Sequence, residues 1–303
     1  MAAVRRPRLA VTLGDPRGIG PEVISKAIGL RPLDADLVLV GPDDQLSGIP
    51  ARSRVGVGAW NTGGAAGAGQ VQLAGQLAAR SIERAVWLAR AGEVDAVVTG
   101  PVEKRALHLA GYPFPGVTEL LSHLNGGAET VMMLVAGALR VVLVTTHLSL
   151  RDALSRVTTE RIVQVGGIAA TALRDWFGLI APRLALCALN PHAGEGGLFG
   201  DEDERVLRPA AQQLGAAGPL PADTVFVRAL RGEFDAVLAP YHDVGMTAVK
   251  VAGFGSGVNV TLGLAFPRTA PDHGTAFDIA GKGIADPGSM RAALELAATL
   301  AVR

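Results

Sequence analysis

Short aliphatic runs recur along the chain, most of them closed by glycine or proline and followed by a segment of helical spacing. Leu9 to Leu13, Leu37 to Val40, Ala96 to Thr99, Val131 to Val135, Val141 to Thr145, Leu184 to Leu189, Ala236 to Ala239 and Gly257 to Thr261 each hold four to six residues. Apart from the last, which Asn259 interrupts, they run apolar instead of alternating, which is the pattern of strands buried on both faces. Between them, Pro21 to Ile28, Gln72 to Ala91, Thr159 to Trp176, the region near Glu202 to Leu214, Ala222 to Arg231 and Gly288 to Ala301 carry helical periodicity. Thr158 stands where an N-cap belongs, and Asp286-Pro287 opens the last helix, which is expected to return to the N-terminal lobe. Gly56 to Gly69 is too rich in glycine and alanine for either element and predicts an irregular connection. Strand and helix alternating at this spacing predict mostly parallel sheets.

Size changes the picture from one core to two. A chain of 303 residues exceeds what a single hydrophobic core usually holds, so two α/β/α lobes are expected, with a cleft as the default site. The expected division is residues 1–125 plus 258–303 for the first lobe and residues 126–257 for the second. Hydrophobic content of 49% with only 4% aromatic, 39 Gly and 18 Pro fits many short aliphatic strands punctuated by turns. Lys and Arg total 28 and Asp and Glu total 28, with no basic tract, so a nucleic-acid partner is not expected. No stretch approaches the ~20 apolar residues of a membrane span, and the short run behind Arg5, Arg6 and Arg8 is too brief for a signal-peptide core. The single Cys187 cannot form an internal disulfide. A cytoplasmic enzyme with a small-molecule partner is the expectation.

Three of the aliphatic runs lead into a histidine: Val141 to Thr146 into His147, Leu184 to Leu189 and Asn190-Pro191 into His192, and Ala236 to Ala239 and Pro240-Tyr241 into His242. One such histidine is usually a hydrogen-bonded loop residue. Three of the six in the chain at the same kind of position argue for a metal site, because open α/β sheets place ligands at the carboxyl ends of strands. Three protein donors with an open fourth position is the catalytic arrangement for zinc. Separations of 45 and 50 residues exclude a finger-type motif, so only the fold can assemble this site.

Other segments carry candidate chemistry. Gly14-Asp15-Pro16-Arg17-Gly18-Ile19-Gly20 joins the first strand to the first helix; it is either an anion-binding turn or a tight turn that needs glycine, and it is not the dinucleotide fingerprint. Tyr241 to Lys250 places Asp243 beside His242, where it can orient the imidazole or act as a base, and Lys250 among apolar neighbours. Arg268, after the run from Val258, is a natural clamp for phosphate or carboxylate, with an ion pair to Asp272 as the structural alternative. His273 stands at a possible helix start, and Asn190 to Gly200 is a glycine-rich loop that either closes over a site or turns.

Together, Gly14-Asp15-Pro16-x-Gly18-Ile19-Gly20-Pro21-Glu22, Thr99-Gly100-Pro101, Asn190-Pro191-His192-Ala193-Gly194-Glu195, Tyr241-His242-Asp243 and Arg268-Thr269-x-x-Asp272-His273-Gly274-Thr275 resemble the 4-hydroxythreonine-4-phosphate dehydrogenases of vitamin B6 (pyridoxine) biosynthesis. The resemblance covers about Leu9 to Met290. It implies an isocitrate/isopropylmalate dehydrogenase-like fold and a homodimer with shared active sites in the inter-lobe cleft at the dimer interface. It further implies that His147, His192 and His242 bind a divalent metal, zinc before magnesium, cobalt or manganese, with His242 reaching across from the other subunit. By the same matching, Thr118, Lys250, Asn259 and Arg268 contact substrate, with Asp243 and Lys250 as the catalytic candidates. The implied chemistry is oxidation of the secondary alcohol of 4-phosphooxy-L-threonine by NAD or NADP, followed by decarboxylation to 3-amino-2-oxopropyl phosphate. The sequence assigns no nucleotide-binding residues, and it leaves the roles of Asp223, His123 and His273 open.

One departure matters. Where that family reads Gly-His-Thr-Glu, this chain has Gly116-Val117-Thr118-Glu119, and valine offers no hydrogen bond. Either a neighbour such as His123 compensates or the substrate differs. The alternatives are oxidative decarboxylation of D-threonate or D-erythronate 4-phosphate, and dehydrogenation of a carboxylated aromatic cis-dihydrodiol. From a different class, the metal could serve a hydrolase, or the protein could be non-catalytic.

Overall fold

The computed structural model describes residues 5–61, 67–253 and 255–302. In chain order the elements are β1 (Arg8–Thr12), α1 (Gly20–Leu30), β2 (Asp36–Gly41), β3 (Ser53–Gly56), α2 (Ala68–Arg90), β4 (Ala96–Thr99), α3 (Lys104–Leu109) and α4 (Val117–Leu124). There follow β5 (Val131–Ala136), β6 (Leu139–Leu143), α5 (Leu150–Arg156), α6 (Thr159–Asp175), β7 (Leu184–Cys187), a short turn (Pro191–Gly197), a π-helical turn (Asp203–Leu207) running into α7 (Arg208–Leu214), and β8 (Ala217–Leu220). The chain closes with α8 (Ala222–Leu230), β9 (Ala236–Ala239), α9 (His242–Gly253), β10 (Val258–Leu262), β11 (Arg268–Pro271) and α10 (Gly288–Leu300). It divides into two compact units, residues 1–130 with 264–303, and residues 131–263.

In the first unit the strands run β3-β2-β1-β4-β11, every described pair parallel. The strands β1 and β4 are buried nearly throughout, as their continuous aliphatic composition requires. Helix α10 seals this unit as the sequence predicts: Thr269 Oγ1 donates to the Ala293 carbonyl at 2.9 Å, and the buried Arg291 donates to the carbonyls of Ala27, Arg31 and Pro32 at the end of α1. Those carbonyls have no intrahelical partner, so the guanidinium caps the helix and docks α10 in one contact.

In the second unit the order is β10-β5-β6-β9-β7-β8. Strands β6, β9, β7 and β8 are parallel to their neighbours, while β10, β5 and β6 pair antiparallel. The sequence predicts the strands of β5 and β6 without their hairpin, whose turn rests on Gly137 at φ 57°. The mixed α/β architecture with mostly parallel strands is present in both units.

Elements absent from the sequence reading have identifiable causes. Strand β3 is an exposed edge and β8 reads Ala-Gly-Pro-Leu, so neither carries an aliphatic run. Helix α9 begins on the very motif that reads as a site, Tyr241-His242-Asp243. It lies close on the sheet through Gly245, where a Cβ would stand 2.7 Å from Leu143 Cδ2 and 3.0 Å from Ala239 Cβ. The predicted Thr158 cap of α6 is present, its hydroxyl accepting from Arg161 N at 3.1 Å. Of the Gly56 to Gly69 connection, residues 62–66 lie outside the described residues.

Candidate active site

In the second unit, β6 and β9 run side by side with Val142 opposite Leu238. Their pairing continues past the last ladder residues: Val144 N donates to Ala239 O at 2.9 Å, and the buried Thr145 hydroxyl donates to Pro240 O at 2.8 Å. Thr145 therefore ties together two strand exits, each two residues short of a histidine. The consequence is that the His147 and His242 rings lie with centroids 5.4 Å apart and planes tilted by 45°. His242 Nδ1 is 2.7 Å from Asp243 Oδ1. A carboxylate only accepts, so this contact puts the proton on Nδ1 and leaves the Nε2 lone pair available for a metal.

The separation of the two rings is of the size that a shared divalent ion would require. Two imidazoles bound through nitrogens about 2 Å from one tetrahedral ion hold their ring centres on the order of 5 Å apart. The third predicted donor is placed differently. His192 follows β7 and Pro191, and its ring packs against Phe199 with centroids 6.5 Å apart. Among the described residues, no three His, Cys, Asp or Glu side chains gather around one point. The chain thus brings together His147 and His242, and not His192.

The backbone carrying His192 is unusual. His192, Ala193, Gly194, Glu195 and Gly196 all lie in the left-handed region, with φ of 52°, 56°, 81°, 43° and 66°. For a non-glycine residue that conformation costs on the order of 1–2 kcal/mol, so surrounding contacts must impose it. The fully buried Asp203 anchors the segment entering this run, accepting from Leu189 N at 2.8 Å and Asn190 N at 2.9 Å, and within the turn Ala193 N donates to Asn190 O at 3.2 Å and Phe199 N to Gly194 O at 3.1 Å. Sequence reasoning missed both Thr145 and Asp203; the acidic run Asp201 to Glu204 reads as an ordinary solvated helix start.

The remaining candidates divide between the units. Lys250 is half-buried on α9, on the same helical face as His242 and two turns further along. Asn259 lies on β10 opposite Leu134, and its buried Oδ1 has no hydrogen-bond partner among the described residues. It is an acceptor waiting for a donor. Asp243 is exposed, its side chain 88% accessible. Asp223 is exposed in the first turn of α8, where a carboxylate complements the helix dipole without further chemistry.

In the first unit Arg268 is buried and donates through Nη2 to the Thr99 hydroxyl. Burial pushes its guanidinium down to about 10, so it stays cationic at neutral pH with its water stripped away. Thr118 is half-buried at the start of α4. Val117 beside it packs against the apolar cluster that includes Leu120 and Leu121. His123 is exposed against Phe114, with ring centroids 5.1 Å apart. His273 Nδ1 is 3.0 Å from Gly274 O, and its buried Nε2 has no partner among the described residues.

The Gly14 to Gly20 turn is tied up internally. Arg17 Nη2 bonds Asp15 Oδ2 at 2.7 Å and Glu103 Oε2 at 2.6 Å, while the amides of Asp15, Gly18 and Ile19 donate to Pro101 O, Asp15 O and Thr275 O. A Cβ at Gly20 would lie 2.0 Å from Leu13 O. The tight-turn reading accounts for these glycines.

The pyridoxal phosphate biosynthetic protein PdxA family matches residues 44–297. The chain belongs to that family. The 4-hydroxythreonine-4-phosphate dehydrogenase of Beijerinckia indica is 43% identical, the alignment covering 97% of this chain and 95% of that protein. The D-threonate 4-phosphate dehydrogenase of Salmonella typhimurium is 44% identical, covering 97% and 98%. The crystal structure of 4-hydroxythreonine-4-phosphate dehydrogenase from Klebsiella pneumoniae superposes with a TM-score of 0.88 at 40% identity, covering all of both chains. A β-decarboxylating dehydrogenase from Thermococcus kodakarensis, 17% identical with a TM-score of 0.52, shares the fold alone. This PdxA-family chain is thus an oxidoreductase with the expected dehydrogenase fold. No helix among its described residues is long and apolar enough to cross a membrane.

Proposed function

We propose that the chain is a metal-dependent NAD(P) dehydrogenase that oxidises the secondary alcohol of 4-phosphooxy-L-threonine and releases carbon dioxide to give 3-amino-2-oxopropyl phosphate. The observation that carries this reading is the His147–His242 pair, oriented by Asp243, at adjacent strand exits of a PdxA-family chain. A divalent metal, zinc first among the candidates, would be held by His147 and His242 with His192 as third donor. When bound, it acts as a Lewis acid that acidifies a coordinated hydroxyl and stabilises enolate-like charge.

The chain's own groups supply the rest. Arg268, cationic and desolvated, pairs with the phosphate or the carboxylate more strongly than it would in water. Asn259 offers its unpartnered amide oxygen to a substrate hydroxyl or ammonium. Lys250, on the His242 face of α9, is the proton-handling candidate near the reacting carbon, and Thr118 offers its hydroxyl. Within one chain it is His192 that stands apart, and not His242, which was expected to reach across from another subunit and instead lies beside His147; in a homodimer with shared sites the third donor would come from the other subunit. Exposed Leu148, Leu150, Leu154, Leu198 and Phe199, in the segments next to His147 and His192, support an apolar contact there.

A second reading has its own support. Val117 is committed to apolar packing and cannot serve as the polar contact its family position implies, and D-threonate 4-phosphate dehydrogenases stand among the relatives at equal similarity. Oxidation of D-threonate 4-phosphate is therefore the alternative. Reduced-nicotinamide absorbance with both substrates, D-erythronate 4-phosphate and a carboxylated cis-dihydrodiol separates the possibilities. Turnover of 4-phosphooxy-L-threonine is the expected result. Exclusive turnover of another substrate moves the function to that substrate, and silence from all four in the metal-loaded protein overturns the dehydrogenase reading.

A further inference from the structure

Strand β7 ends at Cys187, and five residues later the chain must present His192 from a run of left-handed residues. Gly194 and Gly196 adopt that conformation readily, but Ala193 and Glu195 do not. The segment that enters the run is anchored from further along the chain. Asp203 is 0% exposed, and its two oxygens take the consecutive amides of Leu189 and Asn190 at 2.8 and 2.9 Å. Glu202 Oε2 takes the Asn190 side chain at 2.8 Å. The loop then closes on itself, with Phe199 N donating to Gly194 O at 3.1 Å. A buried carboxylate is tolerated only when its lone pairs are satisfied, and here the satisfying donors are the backbone immediately before His192.

We propose that Asp203 is a positioning residue: its carboxylate fixes the backbone of Leu189 and Asn190 and so aims the His192 imidazole, with Glu202 assisting through Asn190. Asp203 itself touches neither substrate nor metal. The proposal rests on the reading of His192 as a metal donor, so the test must separate the two.

The test compares full-length wild type with Asp203→Asn, Glu202→Ala, Glu202→Gln and His192→Ala. Cobalt affinity is measured by calorimetry at a temperature where each variant is shown folded by circular dichroism, and kcat and the nucleotide KM are measured alongside. Asparagine keeps one acceptor and turns an amino group toward a backbone N–H. Asp203→Asn is expected to lose about 10- to 100-fold in metal affinity, with kcat reduced and the nucleotide KM within about twofold. Glu202→Ala shows a smaller loss in the same direction, and Glu202→Gln restores it because its amide oxygen still accepts from Asn190. Folded Asp203→Asn with wild-type cobalt affinity overturns the proposal while His192→Ala, if impaired, keeps the donor reading. Should Asp203→Asn fail to fold, wild-type affinity in Glu202→Ala overturns it instead. Undiminished affinity in His192→Ala overturns both.

Discussion

Arg268 is where a single side chain carries the most consequence. Its folded-state value of about 10 lies below the ordinary guanidinium, which means the folded chain favours the neutral form more than the unfolded chain does. The sign follows: the cost of holding the cation is present at every pH below about 10, and is relieved only as pH climbs from there toward the unfolded value. A bound anion offsets that cost at neutral pH. Replacing Arg268 by methionine is therefore expected to leave the denaturation midpoint within a few degrees of wild type, or to raise it, because an apolar isostere removes a desolvated charge. The same change should raise KM for a phosphorylated substrate by about 100-fold, the scale of a lost buried charge pair. An unchanged KM would remove Arg268 from the site. The sequence pointed to this arginine through its place behind an apolar run, and did not suggest its contact with Thr99.

Helix α9 is the element on which the site turns, since it carries His242, Asp243 and Lys250. Gly245 lets it approach β6 and β9, its absent Cβ being 2.9 Å from Val141 Cγ1 and 3.0 Å from Ala239 Cβ. Gly245→Ala forces these buried neighbours apart, and overpacking of about 1–3 kcal/mol outweighs the gain of about 1 kcal/mol that alanine brings to a helix. A net loss of stability with reduced kcat is expected from chemical denaturation and steady-state kinetics. Gly167→Ala in α6 is the control: nothing lies within 4 Å of its Cβ, so it should stabilise by about 0.5–1 kcal/mol. Equal effects from the two substitutions would refute the close-packing argument. The strand framework was legible because short continuous aliphatic runs bounded by glycine or proline read as buried strands, although β5, one such run, pairs antiparallel with both neighbours; α9 was not, because it opens on His242-Asp243, which reads as chemistry before it reads as helix.

At the scale of the whole molecule, the two units divide the candidate groups, with the histidines, Lys250 and Asn259 in one and Thr118 and Arg268 in the other. The strand-end histidines were legible as a set from sequence, since each terminates a buried run. What was not legible is that Thr145 joins the strand exits carrying His147 and His242, while His192 stands apart on a left-handed turn. Family membership fixes an oxidoreductase, and the proposed reaction adds a metal-dependent, decarboxylating oxidation of an alcohol. The most direct test of that claim is the stoichiometry of reduced nicotinamide and carbon dioxide formed from 4-phosphooxy-L-threonine by the zinc-loaded protein. The two are expected in equal amounts, both lost in His147→Ala. Reduced nicotinamide without carbon dioxide would contradict the decarboxylating step, and the absence of both would contradict the proposed reaction itself.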